Sequence, residues 1–442
     1  HGYSKLCYLR PHKAHGRMKS ATKHILIEVA RYLLALTFLF SGVVKAIDPV
    51  GASIKVGEYF TSFQMPFMTS FAMPVAIALS TIEFMLGALL LMGVWRKLTA
   101  WGTVLLMGFM TLLTLYLALY NPVADCGCFG DAFKLTNWQT FEKNIVLFSA
   151  ALVFLFGSKH ISGAFTYKSV WIPVLSALLG ILVFTFANYR HLPILDFRPY
   201  KVGENLRSLV LVPEDAPQDE YSYEFIYEKD GVQKTFDMDN LPDSSWSYVD
   251  RHDKLISKGY TPPITDFILF SGTEDVTNDV LAGEGELVFI TTPNWEKVPR
   301  SLGQELNLLQ EAVEERSAAL YALSSSTLEE EKDWRESTGA SYECLFLDAT
   351  TIKTMARGVP SIIFIKDGVI YRKMNGHDLP NTREEMGALL ENTYTQGVRH
   401  EGYLLRSLLL IIWFLYTLVS LIITSTRREI TKSRTLPIPP SA

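Results

Sequence analysis

Leu98-Thr99-Ala100-Trp101-Gly102-Thr103-Val104-Leu105-Leu106-Met107-Gly108-Phe109-Met110-Thr111-Leu112-Leu113-Thr114-Leu115-Tyr116-Leu117-Ala118-Leu119-Tyr120 contains no charged side chain. Crossing the hydrocarbon core of a bilayer takes roughly 20 apolar residues, so this stretch reads as a transmembrane helix. It sits between Arg96-Lys97 and Asn121-Pro122. Outward from it, further apolar runs of spanning length lie at 25–47, 72–94, 142–158, 170–188 and 403–425. The run at 142–158 is the shortest, and Glu142 and Lys143 blur its start. Of 442 residues, 48% are hydrophobic and 20% charged, with a mean hydropathy of +0.16. Soluble domains carry about 25% charged residues, so the composition excludes disorder and disfavours a wholly soluble enzyme.

The formal net charge of −5 conceals a division. Residues 191–402 carry 38 acids against 20 bases, and the remainder carries 8 acids against 21 bases. The bases of that remainder flank the apolar runs: Lys5, Arg10, Lys13, Arg17, Lys19 and Lys23 before the first, Arg96 and Lys97 after the second, Lys159 and Lys168 after the fourth, and Arg427, Arg428, Lys432 and Arg434 after the last. Six spans place all of these on one side, which the positive-inside rule identifies as the cytoplasm. The expected location is a bacterial inner (plasma) membrane, with both termini cytoplasmic and residues 189–402 periplasmic. The loops 48–71 and 121–141 then also face outward. The first apolar run is too long for a cleavable signal and has no small-residue cleavage site. Met18 is the expected initiator, so Cys7 receives little weight.

The outward segment reads as a β-rich lead-in followed by an alternating α/β domain. Strand-like runs at Tyr221–Tyr227 and Phe267–Phe270 flank turn clusters such as Leu241-Pro242-Asp243-Ser244. Beyond residue 285 the pattern predicts a strand at 287–290, a long helix at 296–317, and a strand at 318–323. An acidic helix at 328–337, a strand at 344–347 and a helical turn at 352–357 follow. A hairpin pairs 361–366 with 369–373 around Asp367-Gly368, and a helix at 382–394 closes the domain. Glu329-Glu330-Glu331 reads as a solvated helix start. Cys344 reads as a buried, inert thiol in its strand.

The strongest local motif is Asp125-Cys126-Gly127-Cys128-Phe129-Gly130-Asp131, in the outward loop after Tyr120. Two cysteines one residue apart can bridge in an oxidising compartment, and Gly127 permits the backbone angles so small a ring requires. Bridges of this kind are labile and suit a relay better than a staple, because a staple gains stability by closing a long loop. Metal binding by Cys126, Cys128, Asp125 and Asp131 is a minor alternative, since Cys-x-Cys is not the usual zinc spacing. Glu83 lies half-way along the second span, where an unpaired carboxylate costs about +2.5 kcal/mol or more. Lys45 and Lys143 are its candidate counter-charges. It reads equally as a structural ion pair and as a proton or quinone site. Tyr59, Trp95, Tyr116, Tyr120, Trp138, Tyr189 and Tyr403 read as an interfacial belt. Neither a phosphate loop, a Ser-His-Asp order nor a nucleic-acid-binding face is present.

Three stretches carry a family resemblance: Phe40-Ser41-Gly42-Val43-Val44-Lys45-Ala46-Ile47-Asp48-Pro49; Ile82-Glu83-Phe84 with Gly87; and the Cys-Gly-Cys-Phe-Gly loop with Asn137-Trp138 and Lys143-Asn144. Over residues 20–160 the chain resembles the MauE branch of the DoxX-like membrane proteins. The resemblance implies a four-helix membrane bundle and disulfide chemistry alongside a thioredoxin-like partner. It also implies an analogy to the quinone-coupled DsbB and vitamin K epoxide reductase bundles.

Downstream, Gly358-Val359-Pro360-Ser361 before the hairpin, and Pro262-Pro263-Ile264-Thr265-Asp266-Phe267 as an opening strand, resemble thioredoxin-like domains of the TlpA and ResA type. That resemblance implies a cis bond at Pro360. Where it places Cys-x-x-Cys, this chain has Thr291-Thr292-Pro293-Asn294-Trp295-Glu296.

The expected fold is therefore an α-helical polytopic bundle, a MauE/DoxX-like core plus two further spans, with an extracytoplasmic thioredoxin-like α/β domain. Its parts are a basic tail at 1–24, five spans in 25–188, the lead-in at 189–270, the thioredoxin-like domain at 271–402, the last helix at 403–425 and a tail at 426–442. The expected site is Cys126 and Cys128 with Glu83, with Gly127 and Pro360 as structural residues and a quinone as the one cofactor suggested. The expected surroundings are the lipid bilayer and an extracytoplasmic client or complex. The alternative function is a non-enzymatic membrane scaffold whose cysteine-depleted outer domain docks partners.

Overall fold

The computed structural model describes residues 12–123, 125–161 and 170–395, together with Ile412, Trp413 and Tyr416. Residues 1–198 with 400–442 form one compact unit, and 199–399 form a second.

The first unit is helical: α1 (His12–Ile47), α2 (Pro49–Ser62), α3 (Ala72–Met92), α4 (Arg96–Tyr120), α5 (Asn137–Gly157) and α6 (Trp171–Arg190). Among the described residues, five helical stretches are long and apolar enough to cross a membrane: Thr22–Ile47, Pro66–Met92, Arg96–Tyr120, Asn137–Gly157 and Trp171–Arg190. The sixth expected span, 403–425, lies outside the described residues except for Ile412, Trp413 and Tyr416. The Trp413 ring packs at 4.9 Å from that of Phe84.

Two glycines set the approach of α1 to α3. A Cβ on Gly42 would come within 2.6 Å of the Phe84 backbone nitrogen, and one on Gly87 within 2.7 Å of that of Leu39. Small residues at a helix crossing let backbones meet in lipid, where no hydrophobic force distinguishes helix from tail. At one end of this pair, buried Arg31 donates to the Leu90 and Leu91 carbonyls at 2.8 and 3.1 Å and pairs with Glu28. These carbonyls belong to the last turn of α3, where helical partners run out and a cation is favourable. Helices α4 and α5 share a buried Asn144–Thr114 hydrogen bond of 3.1 Å. Phe184, Ile181 and Ala177 of α6 bury with Phe84 and Ala88 of α3.

Two expectations change here. The stretch 48–71, read as loop, is mostly helical: Asp48 caps α2 by accepting from the Gly51 amide at 2.8 Å, and Pro49 occupies the first turn, where its missing N–H costs nothing. The fourth span starts at Asn137 instead of 142. Thr136 and Gln139 form a capping box there, so Glu142 and Lys143 lie inside the helix.

The second unit opens with the short helix α7 (Leu206–Val210) and a three-stranded antiparallel sheet of β1 (Glu220–Lys229), β2 (Val232–Asp237) and β3 (Ser247–Ser257), in the order β2-β1-β3. There follow β4 (Phe270–Ser271), β5 (Glu274–Asp275), α8 (Thr277–Ala282), β6 (Glu286–Thr292), α9 (Gly303–Glu315), β7 (Ala319–Ser324), α10 (Leu328–Thr338), β8 (Glu343–Phe346), α11 (Ala349–Met355), β9 (Ser361–Lys366), β10 (Val369–Asn375) and α12 (Arg383–Thr395). These build a seven-stranded mixed sheet in the order β10-β9-β6-β7-β8-β4-β5. β6, β7 and β8 run parallel, β9 runs antiparallel to β6, and β10 antiparallel to β9. The apolar run at β6 is buried on both faces, as the centre of such a sheet demands. One face packs under Leu306, Leu309 and Val313 of α9 and the stacked indoles of Trp295 and Trp334, 4.8 Å apart. The other packs under Ile352, Met355 and Leu206.

The long helix expected at 296–317 is shorter. Pro299 leaves Val298 and itself in extended backbone, and α9 begins only at Gly303 after two 3-10 turns. Residues 262–267 form no strand; strand structure begins at Phe270, although Ile264 and Phe267 are buried. The Val359–Pro360 peptide bond is cis.

Candidate functional site

The loop between α4 and α5 presents the two thiols. Asn121 ends α4 in the left-handed conformation, and Cys126 buries against Leu117 and Val123, with Tyr59 alongside. The Asp125 carboxylate accepts from the Gly127 amide at 2.9 Å. Gly127 has φ +64°, which a side chain resists, and a Cβ there would stand 2.8 Å from Lys55 Cγ. The Gly130 amide then donates to the Gly127 carbonyl at 3.1 Å and closes a turn. This turn sets Cys126 Sγ and Cys128 Sγ 2.9 Å apart, unbridged.

Beneath the loop lies a buried polar cluster of Ser41 and Lys45 from α1, each 6% exposed, and Glu83 from α3, 3% exposed. Ser41 and Lys45 are four residues apart and share a helix face. Lys45 Nζ donates at 2.7 Å to Glu83 Oε2, to Ser41 Oγ and to the Cys128 carbonyl. Ser41 Oγ lies 2.8 Å from Glu83 Oε2 and 2.7 Å from the Cys128 carbonyl, and its single proton goes to one of them. Of the two candidate counter-charges for Glu83, Lys45 is the partner. Lys143 instead sits 4.2 Å over the Phe129 ring, which packs against Phe40. From α2, Tyr59 donates to the Cys126 carbonyl at 2.8 Å and Lys55 lies 3.3 Å from Asp125. Both cysteine carbonyls are therefore held by side chains of other helices.

The two thiols are driven apart electrostatically. Cys128 is pulled below the ordinary thiol range, first by its hydrogen bond from Cys126 and then by the charges of Lys143 and Lys45. Cys126 is pushed up, first by that same hydrogen bond and then by burial. Burial also raises the Tyr59 hydroxyl, which stays a donor. Of the two sulfurs, Cys128 is thus the one that loses its proton more readily.

Residues 23–157 match the family model described as Methylamine utilisation protein MauE. This MauE-matched stretch holds every residue of the cluster: Ser41, Lys45, Tyr59, Glu83, Cys126 and Cys128. A second model, described as a domain of unknown function (DUF8463), matches residues 221–258, the span of β1 to β3. No curated protein and no solved structure matches the chain.

Of the residues singled out in the sequence, Glu83, Cys126, Gly127 and Cys128 come together around the loop between α4 and α5. Pro360 belongs to the second unit, where its carbonyl accepts from the Gly376 amide at 2.8 Å. Cys344 lies half-buried on β8, its thiol pushed up to about 12 by burial. After β6, residues 293–295 are held by the turn that follows β7: Ser326 Oγ accepts from the Trp295 amide at 2.8 Å, and Ser325 Oγ donates to the Pro293 carbonyl at 2.6 Å. Ser41 and Tyr59 were not singled out as site residues. The four-residue spacing of Ser41 and Lys45 is the available signal for the first, whereas Tyr59 arrives on α2, which hydropathy does not reveal.

Proposed function

We propose that this membrane protein exchanges disulfides with an extracytoplasmic partner through Cys126 and Cys128. The observation that carries the reading is the 2.9 Å approach of the two sulfurs over the buried Ser41–Lys45–Glu83 cluster. The Cys128 thiolate attacks a sulfur of the partner's disulfide, forming a mixed disulfide and releasing one partner thiolate. Cys126 then gives up its proton and attacks Cys128 Sγ. The intramolecular bridge forms, and the second partner thiolate leaves and takes up the proton. Two electrons pass to the partner, and the reverse sequence oxidises a partner dithiol. Ser41, Lys45 and Glu83 are positioning residues: they hold the Cys128 main chain, and the Lys45 charge favours the thiolate.

A quinone does not enter this scheme. A cavity lined by Trp95, Arg96, Lys97, Leu98, Ser158, Lys159 and Trp171 lies at the α4 end opposite the loop, and an apolar one is lined by Ile77 and by Leu182 to Ala187 of α6. Neither includes a thiol, so these residues do not fit a quinone beside the cysteines.

In this reading residues 189–402 face the periplasm and the seven-stranded sheet is a thioredoxin-like domain kept for docking. Its strand order and the hairpin after Pro360 support that likeness. A non-enzymatic scaffold is the second reading, favoured by the absence of cysteine from Thr291 to Glu296. Thiol trapping in cells decides between them. The exchange reading expects Cys126→Ser to accumulate mixed disulfides through Cys128, because the resolving thiol is gone. A pair that stays wholly reduced or wholly bridged, with Ser variants that fold and grow normally, overturns it. The scaffold reading expects a tag on 189–402 to recover stable complex subunits regardless of either cysteine.

A further inference from the structure

At the end of the helical unit away from the thiols, an open cavity of about 1000 Å³ has the size of a ligand pocket. Three chain segments wall it: Trp95 to Leu98 at the start of α4, Ser158 and Lys159 just after α5, and Trp171 at the start of α6. These segments are tied together. Gly93 ends α3 in the left-handed conformation and Trp95 repeats it at φ +43°, so the chain doubles back into α4 within three residues. The Arg96 guanidinium donates to the Ile161 carbonyl beyond α5, and the Trp95 and Trp171 rings meet edge to face at 4.8 Å.

Three cations, Arg96, Lys97 and Lys159, thus line one cavity, and no acid answers them. Neither 84–124 nor 143–195 contains an Asp or a Glu. Among the described residues the three pair with no carboxylate. The start of α4 adds to their field: its first-turn amides have no helical acceptor and no side-chain cap, and the positive end of the helix dipole lies there. The positive-inside rule accounts for the sign of these charges but not for their gathering around a cavity. The rim is apolar, with Leu98 69% and Trp171 47% exposed. Indoles belong at the level where headgroups give way to hydrocarbon, and basic pockets between membrane helices suit anionic headgroups there.

We propose that this cavity binds a phosphate group, that of an anionic phospholipid headgroup in the leaflet away from the thiols. The cations and the α4 amides take the phosphate, and the indoles and Leu98 cover the glycerol and the first methylenes of the chains. A soluble phosphate would share the first set of contacts and leave the second unused. The site is independent of the thiol chemistry, so Cys126→Ser and Cys128→Ser leave it intact and the two proposals fail separately.

The test uses the full chain in detergent micelles doped with equal amounts of phosphatidylglycerol and phosphatidylethanolamine, with retained lipids counted by native mass spectrometry. The expected result is one phosphatidylglycerol retained in preference to phosphatidylethanolamine. Lys97→Gln/Lys159→Gln weakens its binding about tenfold or more, the loss expected of two cations beside an anionic headgroup. Lys97→Arg/Lys159→Arg keeps the charge and the binding. Arg427→Gln/Arg428→Gln removes two cations of the C-terminal tail and leaves the binding unchanged. Inorganic phosphate alone neither raises the melting temperature nor displaces the lipid. Both lysines are exposed, and the Arg96 bond survives their replacement, so the Gln pair keeps its fold. Lys159→Gln alone gives the same reading with a smaller loss if the pair melts early. Equal retention of the two lipids, unchanged binding in the Gln variants, lost binding in the Arg pair, an equal loss in the tail variant, or displacement by inorganic phosphate would overturn it.

Discussion

At Gly127 the φ of +64° and the 2.8 Å approach of Lys55 act together against any side chain. Gly127→Ala is expected to cost about 1–2 kcal/mol for the left-handed backbone alone, and to separate the thiols. A lower melting temperature and slower bridge formation in a diamide titration would show both effects. Lys45→Met strands a buried carboxylate, and removing one member of a buried pair costs about 3–5 kcal/mol. The double variant Lys45→Met/Glu83→Gln, which strands no charge, should recover most of that loss in detergent melts. The thiolate fraction rises with pH, and a thiol held below its ordinary range reaches half-reaction at lower pH. Alkylation of Cys128 should therefore have a midpoint below that of a free cysteine, near about 8.5. Lys143→Met should move that midpoint up by removing a cation that favours the thiolate. Cys344, pushed up to about 12, should stay unlabelled near neutral pH until the fold is disrupted. The cysteine pair and Glu83 were legible in the sequence because a thiol pair and an intramembrane carboxylate are chemically conspicuous. The Tyr59 hydrogen bond was not, because it depends on where a neighbouring helix settles.

The elements divide by how local their signals are. Spans of 20 or more apolar residues were readable within a few positions, since burial in lipid leaves little else to decide them. Helix α2 gives no hydropathy signal, because its 14 residues include Gly51, Ser53, Lys55, Gly57 and Glu58. The Asp48-Pro49 cap that starts it is itself a local signal. The start of α9 was misplaced for the opposite reason: apolar periodicity continued through Pro299, which breaks the hydrogen-bond ladder regardless of pattern. The short strands β4 and β5 pair through one or two residues each, too few for any periodicity. Capping also offers a test at this scale. Thr136→Ala removes the hydroxyl that accepts from the Gln139 amide, and should destabilise α5 by about 1 kcal/mol. Hydrogen exchange of the first turn of α5 would register that loss before the rest of the helix changes.

For the whole molecule, the division of charge between residues 191–402 and the remainder follows the division into two compact units, with boundaries near 199 and 399. A segment that carries its own pair of cores, one on each face of the seven-stranded sheet, has what it needs to fold alone. A fragment of residues 199–395 should be soluble without detergent and melt in one cooperative transition from the large sheet, with the small sheet exchanging its amides early. Aggregation of that fragment would show that the membrane unit is needed to complete it.

Helices α1 and α3 are pinned at two levels: Arg31 binds the last carbonyls of α3, and Lys45 joins Glu83 some 14 residues further along α1, with Gly42 and Gly87 in backbone contact between them. At 1.5 Å of rise per residue the two pins are about 21 Å apart. A pair fixed at both ends can neither slide in register nor splay without breaking a buried ion pair or the Arg31 hydrogen bonds, so it behaves as a single rigid stave. Whatever gives way when a bulky partner approaches the cysteines must come from the other side of the loop, from α2 with its Tyr59 and Lys55 contacts, which can be withdrawn without disturbing that stave.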